Sequence, residues 1–209
     1  MNLKLIGQLA GAVALTVGLA GCMDVTMDIE VLDETTGKAT TTMTMGADFY
    51  AMAKAGMAAE QSGDANAAGA DDGFCTEEGA ALTENADGSA TCTMTVEGPF
   101  ADLKTGEGDS GASYEVVSPG VVKVSFSTAE MKSEVSGDDA AQDEQTKAMM
   151  QAFFEGHAVT IRIKGKQITD TNMTKSADGS SAEIVIPFLD LINGTANLPP
   201  ELYATVKTN

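Results

Sequence analysis

Alternation of apolar and polar side chains is the strongest constraint on how this chain can fold, because a period of two is the signature of strands with one face buried. Val25, Met27, Ile29 and Val31 fall on one side of an extended segment, with Thr26, Asp28 and Glu30 on the other. Lys38 to Met45 reads as its antiparallel mate across a Thr36-Gly37 turn, and Thr40, Thr41, Thr42 and Thr44 suit a pleated surface. A second hairpin runs from Phe74 to Leu82, turns at Asn85-Ala86-Asp87-Gly88 and returns over Ser89 to Val96, with Cys92, Met94 and Val96 on one face. Tyr114 to Val117 and Val121 to Phe126 flank a Pro119-Gly120 turn, and Val122, Val124 and Phe126 point inward. Val159, Ile161 and Ile163 alternate with Thr160, Arg162 and Lys164. Gln167 to Lys175 is a polar strand that returns through Ala177-Asp178-Gly179 into Ser180 to Ile186, and Leu202 to Val206 is a last short strand.

Helical periodicity is confined to a few stretches. Asp48 can cap a helix running to about Glu60, with Phe49, Met52, Ala53 and Met57 as its apolar stripe. Asp139 to Glu155 reads as a second helix, with Met149, Met150, Phe153 and Phe154 buried and Gly156 as its stop. Ser127 and Glu130 have capping-box spacing, and Phe188 to Ile192 allows one helical turn. These elements together predict an α+β fold: an antiparallel β-sheet of hairpins with two helices packed on one face and the other face polar and wet.

The first 21 residues lie outside that pattern. Lys4 precedes a stretch from Leu5 to Ala20 that is apolar or small apart from Gln8 and Thr16, too short and glycine-rich for a good permanent span, and it reads as a cleaved export signal. Its ending, Leu19-Ala20-Gly21-Cys22, resembles the lipobox of bacterial lipoproteins. The resemblance implies that the Cys22 thiol carries diacylglycerol, that cleavage falls just before it, and that the new N-terminus is acylated. One acyl chain gives only marginal membrane binding, at ~0.8 kcal/mol per buried CH₂, whereas two or three make a stable anchor. In enteric lipoproteins an aspartate directly after the cysteine favours inner-membrane retention. Met23 stands there instead, so the resemblance implies an anchor in the outer membrane facing the periplasm. The expected organisation is a signal peptide over 1–21 and a single periplasmic domain over 22–209. Within that domain 61–72, small and acidic, is expected to be a mobile loop.

An exported chain with three cysteines leaves one over. With Cys22 assigned to lipid, Cys75 and Cys92 remain as a pair. An oxidising periplasm favours a structural disulfide between them, since no Cys-x-x-Cys spacing is present to make a redox-active pair. The balance of 12 Lys+Arg against 31 Asp+Glu gives a formal net charge of −19. Such a surface repels phosphate backbones, which excludes nucleic acid as a partner. It equally repels anionic head groups, so attachment must come from acyl chains rather than a basic patch.

Nothing in the sequence assembles a catalytic motif, and no cofactor or metal is expected. His157, the only histidine, stands at a strand start and reads as structural. A nucleophile elbow and a phosphate-binding glycine loop are both absent. Asp64, Asn66, Asp71 and Asp72 lack the regular alternation and distal glutamate of a calcium loop. Met43-x-Met45 and Met149-Met150 offer thioethers that suit Cu(I), but they fall on a strand face and a helix stripe, where methionine is an adaptable core filler. The stretches Ala86-Asp87-Gly88-Ser89 and Ala177-Asp178-Gly179-Ser180 both run on to a Pro-Phe pair, which shared hairpin chemistry explains without an internal repeat.

Cys22 followed by Val25–Val31, then Lys38–Met45, and Thr171-Asn172 ahead of Asp178-Gly179, resemble the LppM-type lipoprotein domain over most of the mature chain. That resemblance implies a task in the cell envelope, with lipid or glycolipid binding, and carries no functional residue across. The expected function is a non-enzymatic envelope lipoprotein, joined to the membrane through Cys22, that binds a lipid or glycolipid or an envelope protein. A structural or assembly role through protein contacts alone is the alternative.

Overall fold

In the computed structural model, which describes residues 23–61, 74–77, 79–103, 111–129, 131, 151 and 154–208, the chain forms strands almost from its first described residue. These are β1 (Met23–Val31), β2 (Thr36–Met45), β3 (Ala81–Glu84), β4 (Ala90–Pro99), β5 (Ser113–Ser118), β6 (Val121–Ser127), β7 (Ala158–Lys164), β8 (Gln167–Thr171), β9 (Thr174–Lys175), β10 (Ser181–Pro187) and β11 (Glu201–Lys207). Seven of them make one sheet in the order β3-β4-β2-β1-β7-β10-β9, and four make another in the order β5-β6-β11-β8.

The two sheets bury their apolar faces on each other. From the larger sheet come Ile29, Val31, Ile161, Ile163, Ala182 and Ile186, and from the smaller Val122, Val124, Phe126, Ile168, Leu202, Ala204 and Val206. This arrangement overturns the expected α+β packing of two helices on one sheet face: the described residues are mostly β, in two sheets, with one helix of substantial length among them. The physical reason lies in β6 and β11. Each presents one apolar face, as the pattern required, but these strands pair with each other and with β5 and β8 instead of extending the first sheet. The second sheet therefore fills the layer assigned to helices. Gly165, just after β7, marks where the layers come close: a Cβ built there would lie 2.2 Å from Val206 Cγ1 of β11.

Two further departures follow from the same topology. β1 and β7 run parallel, with Ile29 level with Ile163, so the larger sheet is not made of hairpins alone. A parallel pair needs a long crossover, which alternation within each strand does not reveal. The polar stretch Gln167–Lys175 also does not form one arm of a hairpin. It breaks at Asn172, sending β8 to pair with β11 while only β9 pairs with β10. Asn172 fixes that break: its Nδ2 donates to the Glu201 carbonyl at 2.7 Å, and its Oδ1 accepts from the Tyr203 N–H at 2.9 Å.

The first helix, α1 (Ala47–Gln61), stands where expected, and Phe49 and Ala53 of the expected stripe pack against a buried cluster, but Met52 does not. Tyr50 is buried with Met45 and Ala90, while Met52 is 59% exposed. Glu84 of β3 holds Tyr50 on that face, accepting from the Tyr50 hydroxyl at 2.8 Å and from Lys54 Nζ at 2.7 Å. The second helix, α2 (Phe188–Ile192), is the single turn the sequence allows. Residues 1–22, the acidic stretch 62–73, Glu130 and, apart from Gln151, Phe154 and Glu155, the helix expected over 139–155 lie outside the described residues.

The first hairpin turns earlier than expected: Thr36 and Gly37, read as its turn, already belong to β2, with Gly37 level with Val31, and the chain reverses over residues 32–35. After β1, the Asp33 carboxylate accepts the backbone N–H groups of Thr35 at 2.7 Å and Thr36 at 2.8 Å, and the Thr35 hydroxyl at 2.9 Å. The Thr35 N–H contributes most to lowering the Asp33 pKa to about 2. Asp178 repeats the device with the Ser176 hydroxyl and the Ser180 N–H and hydroxyl, and its pKa also falls to about 2. Both carboxyls are more acidic in the folded chain than the ordinary value near ~3.9. Their stabilisation is therefore present above about pH 4 and is lost as the pH falls towards 2. Replacing both by asparagine should flatten that part of the stability profile, read by urea unfolding between pH 5 and 2; an unchanged acid slope would contradict the turn assignment.

Candidate functional site

Residues directly opposite one another across a ladder share a face, so the larger sheet can be mapped row by row. On its inner face the row Ala39, Ile29, Ile163 and Ala182 is buried throughout. Towards the start of β1, the row Met94, Thr41, Met27, Ile161 and Ile184 follows, and then Leu82, Cys92, Met43, Val25, Val159 and Ile186. Ile29 and Val31 are 0% and 3% exposed, whereas Val25, Met27, Met43, Met94 and Val159 are only half-buried and Leu82 is 46% exposed. Beyond them Met45 and Ala90 are buried again, beside Tyr50 of α1. A strip of partly covered apolar side chains thus lies between two buried clusters. Three methionines bear on it, and their unbranched, polarisable side chains adapt to an irregular apolar guest.

The outer face of the same sheet is polar. Thr40 and Thr95 share a hydroxyl contact at 3.2 Å, and Thr44 and Thr91 one at 3.3 Å. Arg162 Nη1 donates to Asp28 at 3.1 Å and its Nε to Glu183 at 2.6 Å, and Lys164 Nζ reaches Asp28 at 2.8 Å. Burial works against the Arg162 charge, but Glu183 and Asp28 outweigh it and hold the guanidinium above its ordinary range. Arg162 and Lys164 are thus both engaged by carboxylates on this face.

At the start of β1, Met23 is already paired with Met45. The Asp24 carboxylate accepts the Ala158 N–H at 3.1 Å, which ties β1 to β7. Its other oxygen lies 3.1 Å from His157 Nδ1, but off the line that a hydrogen bond needs. The His157 backbone accepts from the Phe188 N–H at 3.0 Å and donates to the Phe154 carbonyl at 3.2 Å, so this residue serves as a junction between three segments. Among the described residues no group of three or more His, Cys, Asp or Glu is placed to hold a metal ion. Met45 is packed with Tyr50 and Ala90, as a core filler would be.

Cys75 and Cys92 are joined by a disulfide, with Cα atoms 5.4 Å apart. Cys92 lies on the inner face of β4, so the bridge brings the Phe74 segment against Met45 and Tyr50. Cys22 lies outside the described residues, directly before β1. Sequence reasoning missed three contributors. Tyr50 and Glu84 are coupled across 34 positions, which no local pattern reveals. Tyr114 stacks on Phe100 with ring centroids 4.3 Å apart, and burial pushes its hydroxyl up to about 12. No helix among the described residues is long and apolar enough to cross a membrane.

No family model matches the chain, and no curated protein matches it. Among solved structures it is similar to the NMR structure of the folded domain of the Mycobacterium tuberculosis LppM protein, at 9% identity and a TM-score of 0.43, covering 90% of this chain and 91% of that one. A likeness at that level carries no argument about what the chain does.

Proposed function

We propose that this chain is a membrane-anchored lipoprotein of the bacterial cell envelope, held by acyl chains on Cys22, whose folded part is non-enzymatic and binds a lipid, a glycolipid or an envelope protein. The observation that carries the reading is the fate of the three cysteines. Cys75 and Cys92 are joined to each other, and the third stands in Leu19-Ala20-Gly21-Cys22 immediately before β1. The methionine-bearing strip supports an apolar ligand, and Met23 at the position after the cysteine supports an outer-membrane anchor facing the periplasm. A purely protein-binding role is favoured by a different observation: edge strand β5 exposes Val116 and Val117 at 50% and 46%, a surface suited to strand addition. Lipid extracted from the purified full chain separates the two readings, since a stoichiometric lipid beyond the anchor supports the first and its absence the second.

Anchoring itself has a direct test. Cys22→Ser should abolish incorporation of labelled palmitate in the native host. Residues 23–209 exported behind an ordinary cleavable signal should be recovered in the soluble fraction. Retention of label by the serine variant would contradict the anchor.

A further inference from the structure

We infer that the bilayer surface meets this protein at one defined end of the seven-stranded sheet, the end where β1 begins and where α1 covers Met45 and Ala90. The inference rests on the lipid-anchor reading above and adds to it an orientation and a contact surface. Its basis is the length of chain between anchor and fold, which is zero residues. Cys22 is followed by Met23, already the first residue of β1 and paired with Met45. Asp24 then fastens the same strand to β7 through the Ala158 N–H. The tether therefore has no slack, and it enters the sheet at its middle strand, with β3-β4-β2 on one side and β7-β10-β9 on the other.

Strand direction decides what else lies at that end. The Asn85–Ser89 turn precedes Ala90, which is level with Met45, and Glu155 stands three residues ahead of Ala158, the start of β7. The Ser176–Gly179 turn lies at the other end, since Ser181 is level with Lys164, which is level with Glu30. Seven strand steps from Met23 to Glu30 separate the two ends by about 23 Å. Asp24, Asp87 and Glu155 stand at the anchored end, so anionic head groups do not attract it. Orientation is set by the short tether and not by charge.

The test uses the full lipidated chain, in which an introduced cysteine is the one free thiol. Ala86→Cys, Glu155→Cys and Ala177→Cys are labelled with a fluorophore and reconstituted into phosphatidylethanolamine/phosphatidylglycerol vesicles carrying head-group nitroxide lipids. Flotation with the vesicles is scored first. We expect flotation of all three, at least twofold quenching at positions 86 and 155, and little at 177. Inserting about a dozen Gly/Ser residues between Cys22 and Met23, a root-mean-square reach of about 19 Å, should preserve flotation and erase the difference. Flotation with equal quenching at both ends, or stronger quenching at 177, overturns the orientation and leaves the anchor standing. Loss of flotation overturns the anchor and this inference together.

Discussion

Leu202→Ala should lower the unfolding free energy by about 2–5 kcal/mol, the usual cost of emptying a leucine site in a packed core. Leu202 is fully buried, opposite Phe126 in the central pair of the smaller sheet. Against a total stability of about 5–15 kcal/mol for a typical protein, such a loss brings the chain near its unfolding threshold. The prediction discriminates between architectures. A strand near the end of the chain on the rim of a single sheet would tolerate the change within ~0.5 kcal/mol. Val185→Ala supplies the comparison, because Val185 is 55% exposed on the polar face of the larger sheet and should cost almost nothing. Urea unfolding of the two variants under oxidising conditions reads the difference, and equal midpoints would contradict the two-sheet core.

Removing the Cys75–Cys92 bridge by paired alanine substitution should cost about 3 kcal/mol, in the range expected for closing a loop of this length. The cysteines are 17 residues apart. The loss should not be spread evenly. Phe74, beside Cys75, packs with the cluster formed by Met45, Tyr50 and Ala90, and its ring lies 6.1 Å from that of Tyr50. Freeing it should loosen α1 before the main core, so amide exchange should rise first near Tyr50 and last in β6 and β11. Uniform loosening of both clusters would show that the bridge does not act locally.

The legible parts of this fold are those governed by neighbours in sequence. The inward faces of β1, β6 and β7 follow directly from alternation at Ile29, Val124 and Ile161, and the Asp178 turn from short-range hydrogen bonding, whereas the turn set by Asp33 stands a few residues ahead of the expected Thr36-Gly37. The illegible parts depend on partners far away. Alternation in Val122, Val124 and Phe126 states that one face is covered but not what covers it, which is why helices were expected where a second sheet stands. Nor does it disclose that β1 and β7 are parallel, or that Asn172 diverts β8 to the other sheet. The α1 stripe is legible at Phe49 and Ala53 but not at Tyr50, which Glu84 of β3 holds at the buried face while Met52 stays exposed. The half-buried strip was foreshadowed only as a methionine-bearing interior. Its partial exposure is set by what packs over it from distant parts of the chain, which no local spacing encodes.

The central claim is a thioether on Cys22 joined without a spacer to the middle strand of a two-sheet fold. Mass spectrometry of the N-terminal peptide of the protein recovered from its host's membranes tests it most directly. The account predicts a mature chain beginning at Cys22 and carrying the added mass of diacylglycerol. A mature N-terminus at any other residue, or an unmodified Cys22 thiol, would contradict it.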